Sequence, residues 1–266
     1  MNAVLTRSII SAFIATFLWS AAFLGDSGAS NRVSNDAASL AVTELKLPLL
    51  KVPRYRTSGT YPQVSANGLN LKAVNAAIRN TVLDDQRRFA RLARRQPPAP
   101  PQVGSGIYSA APESKLISAS TVVVSALIPA TRLFPGGTDG QGWLSVTIDV
   151  PRAARVNTPS MFAEPSRGLT ALGIAVRKRV VSSNRCVRDA LNDRVLGRQF
   201  AAGFAPTASH YRYFALTPTG LAVGFPIGQV ASPVCNRVQA VVPYSVVRPY
   251  LSALGEKLVA GVRQPR

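Results

Sequence analysis

The stretch at residues 121–150, TVVVSALIPATRLFPGGTDGQGWLSVTIDV, decides how this chain folds. Its two ends, TVVVSALIP at 121–129 and WLSVTIDV at 143–150, are rich in β-branched residues that pack well on a pleated surface, so each is expected to be a strand. Between them LFPGGTDGQG, residues 133–142, concentrates Gly, Pro and Asp and predicts either a hairpin turn or a flexible lip. Phe134, Gly136, Gly137, Thr138 and Asp139 of that lip are the first candidate ligand contacts.

Upstream, residues 43–52 and 55–60 read as two short strands, with Pro62 expected to stop pairing. In LKAVNAAIRNTVLDDQRRFARLARR, residues 71–95, Val74, Ile78, Val82, Phe89 and Leu92 recur at three-, four- and seven-residue steps, which predicts a long helix capped by Asn70. Arg87, Arg88, Arg91, Arg94 and Arg95 gather in its C-terminal half, where they oppose the negative end of the helix dipole. They form a candidate basic face, either merely solvated or a surface for anions. The prolines of QPPAPPQ, residues 96–102, forbid further helix and make a stiff connector.

Downstream, residues 113–118, 213–217, 221–225 and 238–242 read as strands and 169–181 as a helix. Residues 186–196 either extend that helix or form a second one. A single terminal helix is expected over 245–259, with Val246, Tyr250, Leu251, Leu254 and Leu258 on one face and Pro249 tolerated near its start. The class predicted is α+β: mixed or antiparallel sheets backed by helices. Two consecutive modules are expected, at 42–95 and 103–260, ahead of a short basic tail at 261–266.

The N-terminal region looks like a targeting segment. Arg7 precedes an uncharged apolar run at 8–25, about 27 Å long as a helix against a hydrocarbon core of about 30 Å. Residues 1–30 are therefore read as a signal peptide or a single membrane anchor, followed by a polar spacer at 31–41. With six residues before Arg7, a retained span would leave all activity outside the cytoplasm. Cys186 and Cys235, an even pair in an oxidising compartment, are expected to form one disulfide. Closing that loop would restrict the unfolded chain by roughly 4 kcal/mol.

Thirty-one Lys and Arg against 12 Asp and Glu give a net charge of +19, which favours anionic partners: an envelope polymer, lipid headgroups or an acidic protein. Proton-transfer groups are few. His210 is the single histidine, and neither a GxSxG elbow, a GxGxxG or Walker loop, nor a CxxC pair occurs. No cofactor or metal site is expected. Asp149 stands alone near a strand end and is read as solvated or turn-facing. Only HYRYF, residues 210–214, interleaves aromatic and basic residues as a nucleic-acid reader would, and export argues against that use.

Several segments, in order, resemble the extracytoplasmic region of the RsiV-like family. YPQV at 61–64 followed by VNAAI at 74–78 is similar to its N-terminal, PdaC-type module. PGGTDG with WLSVTIDV, MFAEPSRGLTALGIAVRKRV at 161–180, YFALTPTGLAVGF at 213–225 and VVPYSVVRPYL at 241–251 resemble its C-terminal module. That module is shared with sensor-type anti-sigma factors and mycobacterial secreted immunogenic proteins. The resemblance implies a binding or sensing role without catalytic residues. Two departures limit it. The family's Gly-Gly turn often carries histidine, where this chain has Thr138 and Asp139. Lysozyme, the family's best-known partner, is basic and would be repelled by a chain of +19.

The sequence thus points to a non-catalytic extracytoplasmic binding protein. The alternative, a cell-wall-active hydrolase, would need a pocket that gathers Asp149, Glu164 or His210.

Overall fold

The computed structural model describes residues 40–96, 104–135 and 140–262. The apolar run at 8–25, most of the proline connector, and Gly136, Gly137, Thr138 and Asp139 of the lip lie outside them, as does most of the basic tail. Among the described residues no helix is long and apolar enough to cross a membrane.

The fold is α+β, with two sheets stacked between layers of helix. The larger sheet has seven strands. β1 (Ala41–Lys46) pairs antiparallel with β2 (Tyr55–Ser65), and β2 pairs parallel with β3 (Gly106–Ala110) after a crossover through helix α1 (Lys72–Arg95). Next come β5 (Val123–Leu133), β6 (Gly140–Asp149) and the two-residue β7 (Ala154–Arg155), while β4 (Ile117–Ala119) also pairs with β5. The sheet therefore runs continuously across the proline connector. A second, antiparallel sheet follows the order β10 (Val238–Val242), β9 (Gly220–Phe225), β8 (Phe214–Thr217).

Strand alternation builds the layers. Val124, Ala126 and Ile128 of β5 and Leu144, Val146 and Ile148 of β6 face α1, whose Val74, Ile78, Val82 and Phe89 close that core. The opposite face of the sheet carries Leu127 and Trp143, which meet Ala215 and Ala222 of the small sheet. Small residues are needed in this seam: a Cβ on Gly224 would lie 2.6 Å from the Trp143 ring. Ser125 and Thr147 share a 2.7 Å hydrogen bond there, and the Leu216 N–H donates to Ser125 Oγ at 2.8 Å. Phe214, Leu216, Val223 and Phe225 point away from the seam into a third core under helix α2 (Pro165–Ser183).

Several sequence expectations change. Pro62 does not end β2; it pairs with Glu44, at a point beyond β3 where β2 has a neighbour on one side only. Likewise β5 continues through Pro129, whose missing N–H falls between the ends of β4 and β3 rather than in the ladder with β6. Residues 114–116 form a 3-10 turn before β4, and Leu92 is exposed while Ala93 is buried. The helix N-cap is Leu71, not Asn70, although Asn70 Oδ1 accepts from the Lys72 N–H at 3.2 Å one residue upstream.

The terminal helix is broken. Helix α5 (Tyr244–Val247) gives way to a 3-10 turn at Pro249, and helix α6 (Ala253–Gly261) restarts behind Ser252, whose Oγ accepts from the Gly255 N–H at 3.0 Å. Residues 186–196 fold separately, as helix α3 (Arg185–Leu191) and the approach to helix α4 (Gly197–Ala202). The Cys186–Cys235 disulfide, with its Cα atoms 5.5 Å apart, ties α3 to the turn before β10.

Candidate functional site

A cleft runs between α1 and the segment that enters β8, and Ser145 is the residue of β6 that it leaves partly exposed. On the α1 side Ala73, Ala76, Ala77 and Asn80 leave room, and Leu144 and Ser145 of β6 form the floor of a space of about 710 Å³. Around the strand edge the cleft continues for about 390 Å³ past Ser145, Thr147 and Phe214. Ser145, Arg155 and Arg212 line both parts, so this is one curved groove.

Its chemistry is dominated by guanidinium. Arg88 projects from α1; Arg212 stacks over the Tyr213 ring at 4.7 Å. Arg155 bridges from β7 to the helix, donating to the Ala77 carbonyl at 2.8 Å and to the Thr81 hydroxyl. The two acidic residues in the groove are already engaged. Asp84 pairs with Arg87 at 2.9 Å, and buried Asp85 is gripped by Arg132 at 2.8 Å while accepting from the Tyr108 hydroxyl at 3.1 Å. Burial, and then the Asp85 charge, push the Tyr108 hydroxyl well above its ordinary range, so it stays a donor. The groove thus presents cations to a ligand and keeps its carboxylates for the fold.

Of the five arginines in the candidate basic face, all are exposed and Arg88 alone reaches the groove. Phe134 is half-buried, its ring 4.9 Å from Phe89 and 6.3 Å from Tyr55, so it closes the core at the end of α1. The acid–base candidates are dispersed. Asp149 is not solvated: it is 2% exposed and held by Lys257 at 2.9 Å and Arg152 at 3.4 Å, fastening α6 to the end of β6. Glu164 is exposed and pairs with Arg167, and His210 sits in a turn with Nδ1 3.1 Å from the Ala205 carbonyl oxygen. None of the three lines this groove. Among the described residues no cluster of three metal-ligating side chains forms.

Sequence reasoning missed Arg155, Arg212 and the groove they line. Arg155 and Arg212 are 57 residues apart and meet only because β8 crosses beside β6. The signal available was HYRYF, whose Arg212 and Tyr213 face the groove while Phe214 turns into the core.

No protein-family model and no curated protein matches the chain. Two solved structures do resemble it. One is a member of the DUF3298 family from Bacteroides fragilis NCTC 9343, with a TM-score of 0.55 at 11% identity, over 83% of this chain and 98% of that one. The other is a DUF3298 family protein from Pseudomonas aeruginosa PAO1, with a TM-score of 0.51 at 12% identity, over 85% and 98% respectively. Across more than four fifths of its length, the chain therefore has the fold of DUF3298 proteins.

Proposed function

We propose that this protein is a non-catalytic, extracytoplasmic binding protein that holds an anionic partner through the arginine-lined groove at the edge of β6. The observation that carries the reading is the division of labour in that groove. Arg88 and Arg212 have no carboxylate partner among the described residues, whereas Asp84 and Asp85 are both neutralised by neighbouring arginines. An anion entering would meet free positive charge and no fixed negative charge. The net charge of +19 raises the local concentration of such partners.

Export is supported by the apolar run at 8–25 and by a Cys186–Cys235 bridge of the kind kept in oxidising compartments. The RsiV-like reading belongs to the same proposal. It rests on the ordered sequence segments.

The test is retention of the full chain on immobilised polyphosphate across a salt gradient. The Arg88→Ser/Arg212→Ser variant should elute at clearly lower salt than the unaltered chain. Identical elution, with circular dichroism showing both folded, would remove the groove from the proposal.

A further inference from the structure

A second cleft, which shares no lining residue with the arginine groove, opens between α2 and the chain that leaves β10. We infer that it binds a free fatty acid anion, with the acyl chain lying along α2 and the carboxylate at its basic end. The residues that α2 contributes are 171, 174, 175, 178, 179 and 182, whose steps of three and four place them on one stripe of the helix. That stripe is separate from Leu169, Leu172, Val176 and Val180, which are spent on the core. Val241 of β10, Pro243 and Val246 of α5 supply the facing wall.

The stripe changes character along its length. Ala171 and Ala175 are too small to fill the space beside them; Ile174 is 68% exposed and Val246, on the facing wall, 41%, so the fold leaves this apolar surface uncovered. One turn further on stand Lys178 and Arg179, and among the described residues neither pairs with a carboxylate. From Ala171 to Ser182 the helix advances about 16 Å at about 1.5 Å per residue, close to half of a hydrocarbon core about 30 Å thick.

Those features select the occupant. An acyl chain buries methylene groups against Ala171, Ile174 and Val246 and asks for no hydrogen bond, whereas a peptide would bring polar backbone groups onto apolar side chains that cannot pair with them. A negative head meets its two cations at one end only, which sets the direction of the chain. The cleft encloses about 510 Å³, the size of a small-ligand pocket, and so suits one chain rather than the two of a diacyl lipid.

The experiment uses the full chain and dodecanoate carrying a terminal diazirine, below its micellar concentration, with cross-links located by peptide mass spectrometry. Label should fall on residues 171–182 or 241–250, and unlabelled dodecanoate should compete it away. Ile174→Asp, at an exposed position with little packing to lose, should cut that label about tenfold by setting a charge where the chain lies. Lys178→Ser/Arg179→Ser should cut it by a similar factor and leave the label from the matching diazirine alcohol unchanged. Label confined to other segments, such as the apolar run at 8–25, overturns the inference, as does label that Ile174→Asp leaves intact, or none at all. Acid and alcohol responding alike to the double variant overturns the assignment of an anion. Competition by lysophosphatidylglycerol but not by dodecanoate overturns the fatty acid. Each of these outcomes leaves the arginine groove, tested on polyphosphate, where it stands.

Discussion

At the residue scale, what matters is how far each side chain depends on a single neighbour. Asp149 is fully buried, so its charge is tolerable only because Lys257 and Arg152 reach it. Lys257→Ala should cost about 2–4 kcal/mol in urea unfolding, because a buried carboxylate is left with one distant partner. Arg152 is mostly exposed, and Arg152→Ala should cost under about 1 kcal/mol. Similar costs would mean the three charges do not form the linkage described. Glycine gives a second contrast. Gly59 has φ +101° and a Cβ there would sit 1.9 Å from the Ala110 carbonyl oxygen, whereas Gly68 has φ +74° and nothing within 4 Å. Gly59→Ala should lose upwards of about 2 kcal/mol and Gly68→Ala about 1 kcal/mol, since strain is common to both and the clash to one.

At the element scale, helix α1 shows why periodicity was readable and its partners were not. Val74, Ile78, Val82 and Phe89 advertise a buried stripe, and the stripe is buried. Asp85 and Gln86 are buried beside it, which no periodicity announces. Asp85 is drawn in by Arg132 of β5, and Gln86 donates to the Pro48 carbonyl, in the segment between β1 and β2, at 2.7 Å; the two partners lie 47 and 38 residues away along the chain. The terminal helix shows the converse. An apolar stripe over 245–259 suggested one helix, but Pro249 lacks an N–H and Ser252 offers a cap, so the chain breaks and restarts. Ser252→Ala should lower stability by about 1 kcal/mol, measured by urea unfolding, and the loss should exceed that of Ser166→Ala, whose side chain caps no helix.

At the scale of the whole molecule, two predictions concern the cores. Reducing Cys186–Cys235 releases a loop with a sequence separation of 49, and stability should fall by about 4 kcal/mol, seen as a lower Tm with and without dithiothreitol. An unchanged Tm would show that the packing of α3 carries that region unaided. The pH dependence follows from three buried tyrosines. Burial raises Tyr108 and Tyr244 far above the ordinary phenol value and Tyr211 to about 12, so the folded chain disfavours their ionised forms. Their contribution is fully present below the unfolded value of about 10 and is lost as pH rises through the folded values. Tm should hold to about pH 9 and then drop steeply, and Tyr108→Phe should flatten the drop by removing one titrating group.

By itself, the sequence determined the local grammar: the β5–β6 hairpin from its β-branched runs, α1 from its apolar spacing, the cysteine pair from its number, and the sign of the charge. These are properties of neighbours along the chain, and short-range sterics and hydrophobic period decide them. Only the tertiary structure decided that two sheets stack face to face, that Asp149 is buried, and that Arg88, Arg155 and Arg212 converge on one groove. Such arrangements join residues more than 50 positions apart, and they depend on which face and which edge each strand turns toward its neighbours, a choice no local pattern encodes.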